Sequence, residues 1–133
     1  MYREILVVDD SATIRNLAQI MFRGNPGVVV HLAGTGLEAG HVLLENPNIE
    51  AVLLDVNMPG ESGLEVLEDI RRLGGRFAAI PILMMSADDR DKTIVQAMRI
   101  GATGFIKKPF SLTKVTQLFE KVQARQMDQE AAA

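Results

Sequence analysis

The chain has 133 residues, of which 47% are hydrophobic and 23% charged, and its net charge is −3. That length suits one compact domain with a sizeable core and not comfortably two. The charge balance lacks the basic footprint of a nucleic-acid binder, and the absence of cysteine excludes disulfides, thiol catalysis and thiolate metal sites.

Five short apolar runs alternate with five helical patterns. The first run is Ile5-Leu6-Val7-Val8. Ser11 is placed to cap the helix that follows, where Ile14, Leu17, Ala18 and Met21 share one face at i, i+3, i+4 and i+7. Gly24-Asn25-Pro26-Gly27 stops it. Val28 to Leu32 is the second strand. Gly36 to Glu45 is helical and ends at Asn46-Pro47. Ala51 to Leu54 is the third strand. Ser62 or Gly63 to Leu73 is helical, with Val66, Ile70 and Leu73 facing inward, and Gly74-Gly75 ends it. Ile80 to Met85 is the fourth strand, and Asp89 to Ile100 the fourth helix, closed by Gly101. Gly104 to Lys107 is a short fifth strand. Leu112 to about Gln126 is the last helix, with Val115, Leu118, Phe119 and Val122 on one face.

No apolar run approaches the roughly 20 residues needed to cross a bilayer. Arg3 and Glu4 precede only four apolar residues, which is too short for a signal peptide. A cytoplasmic protein is expected. The domain spans residues 1–126. Residues 127–133, "MDQEAAA", read as a tail, either the start of a linker or a remnant of cloning.

Strands that are apolar throughout, rather than alternating, suggest burial on both faces. Five βα units in series imply a parallel sheet with helices on both sides. Ligands of such sheets bind beyond the carboxyl ends of the strands. There the first strand ends in Asp9-Asp10, the third in Asp55, the fourth in Ser86 and the fifth in Lys107-Lys108-Pro109. Three clustered carboxylates repel one another and persist most easily around a cation. Oxygen donors with no His or Cys among them favour Mg²⁺ over zinc. A lysine opposite supplies the point charge a phosphoryl group needs. The residues alone therefore describe a phosphate-handling Mg²⁺ site.

Each residue also has a plainer reading. Asp9 and Asp10 can cap the first helix. Asp55 can be a turn residue bonding the amide of Asn57. Ser86 can be an ordinary strand-end hydroxyl and Phe105 a core aromatic. Side chains alternate along a strand, so only one of Lys107 and Lys108 can point into the site.

"ILVVDDSATIR", "LLDVNMPGESG", "ILMMSA" and "GATGFIKKPF" together resemble the receiver domain of two-component response regulators, the chemotaxis-type receivers above all. The likeness runs from about Glu4 to Gln126, with four fragments in the right order, each closing a predicted strand. It implies a flavodoxin-like α/β fold: a single doubly wound five-stranded parallel sheet of order 2-1-3-4-5, with helices on both faces. It implies that Asp55 accepts a phosphoryl group from a histidine kinase or phosphotransfer protein. It places Mg²⁺ on Asp10, Asp55 and the backbone carbonyl of Asn57, with Asp9 acting through water. Lys108 would contact the phosphoryl oxygens, Ser86 would hydrogen-bond one of them, and Phe105 would be the aromatic switch. The Lys108-Pro109 peptide bond would be cis.

Ser86 stands where threonine is common in such domains and Phe105 where tyrosine is frequent, so a switch at Phe105 works by packing alone. By the same likeness, small side chains at Asn57 and Asp88 leave water a path to the phosphorus, and the acyl phosphate is expected to be short-lived. The output surface would be the fourth helix, fifth strand and fifth helix. It would engage a downstream protein or effector domain, or a second phosphorylated copy; no nucleic-acid or membrane contact is implied. The protein is then a signalling module rather than a turnover enzyme. Two other readings stand beside this one. A haloacid-dehalogenase-like phosphatase would need a second aspartate two residues after its nucleophile, where this chain has Asn57 or Ser11. A receiver-like scaffold that binds partners without phosphorylation would ignore phosphodonors and Mg²⁺.

Overall fold

A computed structural model describes residues 2–58, 60–87 and 92–132. The strands of the central sheet, numbered along the chain, are β1 (Glu4–Val8), β2 (Val29–Ala33), β3 (Ala51–Asp55), β4 (Ile82–Ser86) and β5 (Gly104–Lys107). They pair in parallel in the order 2-1-3-4-5, as the sequence reading expected. The helices are α1 (Ala12–Arg23), α2 (Gly36–Glu45), α3 (Gly63–Arg72), α4 (Lys92–Ile100) and α5 (Leu112–Ala132), with a 3₁₀ turn at Gly75–Ala78.

Alternation along the strands builds two cores. Leu6, Val8, Val52, Leu54, Ile82 and Met84 face one side and pack with α2, α3 and α4 through Leu43, Leu67 and Ala97. Ile5, Val7, Leu53, Leu83 and Met85 face the other and pack with α1 and α5 through Phe22, Val115 and Phe119. β1, β3 and β4 are buried on both faces, which is why their sequences are apolar without alternation. The edge strands are not. Val29 in β2 is 49% exposed, and in β5 Phe105 is exposed beside a buried Ile106.

Several boundaries differ from the sequence reading. β2 spans Val29–Ala33 rather than Val28 to Leu32. β4 starts at Ile82 rather than Ile80, because Pro81 has no N–H to give the ladder and the Ile80 amide bonds the Arg76 carbonyl in the 3₁₀ turn. α3 ends at Arg72, so Leu73 leaves the inward stripe and is 47% exposed, and Leu67 is buried instead. On α1 the buried pair is Ala18 and Phe22, and Leu17 faces outward. α5 does not stop at Gln126 but continues to Ala132. One anchor of that long helix is Tyr2, which stacks edge-on against Phe119 at 5.4 Å and donates its hydroxyl to Gln126 Oε1 at 2.7 Å. Burial, with Glu50 nearby, pushes its phenol up to about 12, so the hydroxyl stays a donor. Asp89, assigned to the start of α4, lies outside the described residues, as does Asp88.

Candidate functional site

Parallel pairing brings the carboxyl ends of β1, β3, β4 and β5 to one edge. Met85 pairs with Asp55, and Ser86 with Lys107. Asp9 and Asp10 follow β1 directly, Asp55 and Ser86 are the last residues of their strands, and Lys108 follows β5. Asp9, Asp55 and Ser86 are buried, and Asp10 is exposed. Carboxylate oxygens of Asp9, Asp10 and Asp55 lie within 4.8 Å of one another.

Lys108 bridges two of the three. Its ammonium is 2.8 Å from Asp9 Oδ2 and 3.1 Å from Asp55 Oδ1. Its backbone is pinned by donation from the Lys108 amide to the Ser86 carbonyl at 2.7 Å, and the Lys108-Pro109 bond is cis. Lys107 is exposed, so the alternation argument selects Lys108. Asp9 has a second role: its Oδ1 accepts from the Ser11 amide at 2.9 Å at the start of α1. Ser11 itself caps the helix by accepting from the Ile14 amide. The cap of α1 is therefore Ser11 and not Asp9, which bonds only the amide of the cap residue and commits its other oxygen to Lys108. Likewise Asp55 Oδ1 accepts from the Asn57 amide at 3.3 Å, so the turn role and the site role coexist.

Burial, and then the neighbouring charge of Asp9, raise the Asp55 carboxyl above its ordinary value, against the opposing pull of Lys108. Burial alone pushes the Lys108 ammonium down. Its contacts to Asp9 and Asp55 together outweigh that effect and hold it above the ordinary lysine value. The site therefore carries excess negative charge that one lysine does not neutralise. Its donor set is oxygen only, with three carboxylates and no histidine: His41 is exposed, and His31 lies on β2 against Glu4. Such a set fits a hard divalent cation, and the acidic cluster is typical of the Mg²⁺ site of receivers.

Three supporting residues were not singled out by sequence reasoning. Arg15 donates to the Asp9 carbonyl at 2.7 Å from the first turns of α1. Glu61 reaches back from the loop after Asp55 and accepts from the Gly36 amide at 2.9 Å. Gly63 passes so close behind the acceptor that a Cβ there would sit 2.1 Å from the Asp55 carbonyl oxygen and 2.8 Å from Val56 Cα. Only the glycine in "ESG" signalled the last of these, as a close backbone approach. Gly63→Ala should therefore displace the loop, lowering stability by about 1–3 kcal/mol and slowing any chemistry at Asp55. Urea titration and amide shifts at Asp55 to Asn57 measure both, and an unshifted loop would contradict the clash.

Among the described residues, no helix is long and apolar enough to cross a membrane. Comparison with known proteins meets this geometry. Residues 5–120 match the family described as the response regulator receiver domain. The chain is 30% identical over 119 residues to chemotaxis protein CheY-3 of Vibrio cholerae, covering 90% of each. It is 30% identical to chemotaxis protein CheY of Pseudomonas aeruginosa, covering 90% of this chain and 98% of that one. The solved structure of V. cholerae CheY4 superposes with a TM-score of 0.82 at 27% identity, over 92% of this chain and 99% of that one. With the sheet order, the acidic edge and the bridging lysine all in place, this chain belongs to the response regulator receiver family, whose members are switch modules of two-component signalling rather than turnover enzymes.

Proposed function

We propose that this protein is a phospho-accepting receiver in which Asp55 takes a phosphoryl group from a histidine kinase or phosphotransfer protein in the cytoplasm. The observation that carries the reading is the placement of Lys108, whose ammonium touches both Asp9 and Asp55 inside a cluster of three carboxylates. A buried carboxylate with no phosphate chemistry to perform would be a standing cost. Here the same burial leaves Asp55 oriented, by the Asn57 amide and the Lys108 ammonium, toward the open end of the sheet.

Asp10, Asp55 and the backbone carbonyl of Asn57 would hold Mg²⁺, with Asp9 acting through water. When bound, the ion offsets charge on the attacking and transferred groups. A carboxylate oxygen of Asp55 attacks phosphorus, the bond from phosphorus to the donor's histidine nitrogen breaks, and an acyl phosphate forms. Lys108 then pairs with a phosphoryl oxygen in place of Asp55. Ser86 at the adjacent strand end hydrogen-bonds another. The added charge, up to about two units, draws Ser86 toward it. Phe105, 40% exposed on β5 and paired in register with Met84, turns inward behind it. The surface of α4, β5 and α5 shifts a pre-existing equilibrium and with it the affinity for a downstream protein, an effector domain or a second copy. Residues 1–126 form the receiver unit, and residues 127–132 prolong α5. The exposed polar Asn57 lets water reach the phosphorus and keeps the state short-lived.

Incubation with acetyl phosphate and Mg²⁺, borohydride trapping and mass spectrometry should place a single adduct on Asp55. Beryllofluoride with Mg²⁺ should move amide signals at Ser86, in α4 and through Phe110. Shifts confined to the Asp9, Asp10 and Asp55 loops would refute the switch. Asp10→Ala should weaken Mg²⁺ affinity by at least about tenfold and slow labelling in parallel, because one full charge leaves the donor set. Unchanged Mg²⁺ affinity in that variant would remove Asp10 from the proposed ligands.

A further inference from the structure

α2 carries two apolar stripes. One is buried: Ala39 and Leu43 pack into the core. The other faces outward: Leu37 is 74% exposed and Leu44 62%. A single surface leucine is ordinary. These two lie seven residues apart, on one face of the helix, and border a groove of about 380 Å³ between α2 and α3. The groove is open at Gly40, where a Cβ would meet nothing within 4 Å, whereas Gly36 is closed over by Glu61, whose Oε1 would lie 2.1 Å from a Cβ there. Its other side is acidic. Glu61 and Asp69 line it, and among the described lining residues only His41 is able to carry positive charge.

We propose that this groove docks a basic amphipathic helix of a partner protein. Two apolar side chains of that helix would enter beside Leu37 and Leu44, and lysine or arginine side chains would meet Glu61 and Asp69. The charge decides the kind of partner: Glu61, whose Oε2 accepts from the Gly36 amide, and Asp69 keep two negative charges at the groove, and an acidic or neutral helix would bring them no counter-charge. A groove that accepts a few side chains suits helix-in-groove recognition, and a second copy, itself at net charge −3, brings no excess of cations to its carboxylates. The groove meets the acidic edge only through Glu61, which follows Asp55 in the chain, and lies apart from the α4, β5 and α5 face; Leu37, Leu44 and Asp69 take no part in the chemistry proposed at Asp55.

The probe is a synthetic helical peptide with leucine at i, i+3 and i+7 and flanking lysines, titrated into the whole chain and followed by amide NMR. Saturable shifts should cluster at Gly36 to Leu44, Glu61 and Asp69. Leu37→Ser with Leu44→Ser should weaken binding by roughly a hundredfold, about tenfold for each lost anchor. Asp69→Lys should weaken it several-fold and flatten its salt dependence. Ile20→Ser, an exposed apolar change on α1, should leave it unchanged. A glutamate-flanked version of the peptide should not bind. The assignment is overturned by shifts centred elsewhere, by binding indifferent to the two leucines, or by equal binding of the glutamate peptide. A concentration-dependent dimer that Leu37→Ser dissolves would give the groove to a second copy and overturn it as well.

Discussion

Asp55→Asn is expected to abolish phosphoryl incorporation and, in the same molecule, to raise resistance to urea at pH 7. The first effect follows from chemistry: an amide is no nucleophile, and the nearest buried carboxylate, Asp9, is held by Lys108 and the Ser11 amide. The second follows from the raised Asp55 carboxyl, whose cause is burial first and the charge of Asp9 next. A raised folded-state value means that the ionised form is less favoured in the fold than in the unfolded chain. The resulting penalty is complete above the raised folded-state value, fades as falling pH lets the folded carboxyl take its proton, and is gone below the unfolded value of about 3.9. Asparagine keeps the shape and removes the charge. The gap between the two urea midpoints should therefore be wide at pH 7 and narrow toward pH 4. Mg²⁺ should stabilise the parent more than the variant, because it binds the folded cluster. Label retained in Asp55→Asn, or identical midpoints at pH 7, would show that this carboxylate is neither the acceptor nor under electrostatic load.

Lys108→Met should separate two quantities that a generally damaged site would lose together. Methionine approximates the length of the lysine stem and removes its charge. Labelling from acetyl phosphate should fall on the order of 10²–10³-fold, the usual consequence of removing one donor aimed at developing charge. Mg²⁺ affinity should rise, because the ammonium now 2.8 Å from Asp9 and 3.1 Å from Asp55 competes with a cation for the same oxygens. Without Mg²⁺ the variant should lose about 3 kcal/mol of stability, since two buried carboxylates are left without their counter-charge. Added Mg²⁺ should restore much of that loss. Metal titration and urea unfolding of one preparation test both. A fall in Mg²⁺ affinity would mean that Lys108 supports the metal site rather than competing with it.

The fold and the acidic edge were legible because local chemistry leaves few alternatives. Ile5 to Val8, Ala51 to Leu54 and the run ending at Ser86 are apolar on both faces, which only a covered parallel strand allows. Once the strands are parallel, Asp9, Asp10, Asp55, Ser86 and Lys108 must meet at one edge, whatever their distance along the chain. The periodicity of α3 did not reveal that the helix stops at Arg72, leaving Leu73 outside, because helix ends depend on the caps and turn that follow. The extension of α5 to Ala132 was hidden for a related reason: the residues after Gln126 carry no apolar stripe, and helix already anchored through Phe119 and Gln126 to Tyr2 can propagate without one. Alternation along a strand narrowed the site lysine to one of two neighbours, the resemblance chose Lys108 over Lys107, and the structure puts the Lys108 ammonium against Asp9 and Asp55 and leaves Lys107 exposed. What only the tertiary structure decided are contacts between segments far apart in the chain: Lys108 across to Asp9, Glu61 back to the Gly36 amide, Gly63 against the Asp55 carbonyl. Each depends on distances of a few ångströms between separately folded elements, and residue type and spacing along one chain do not fix such distances.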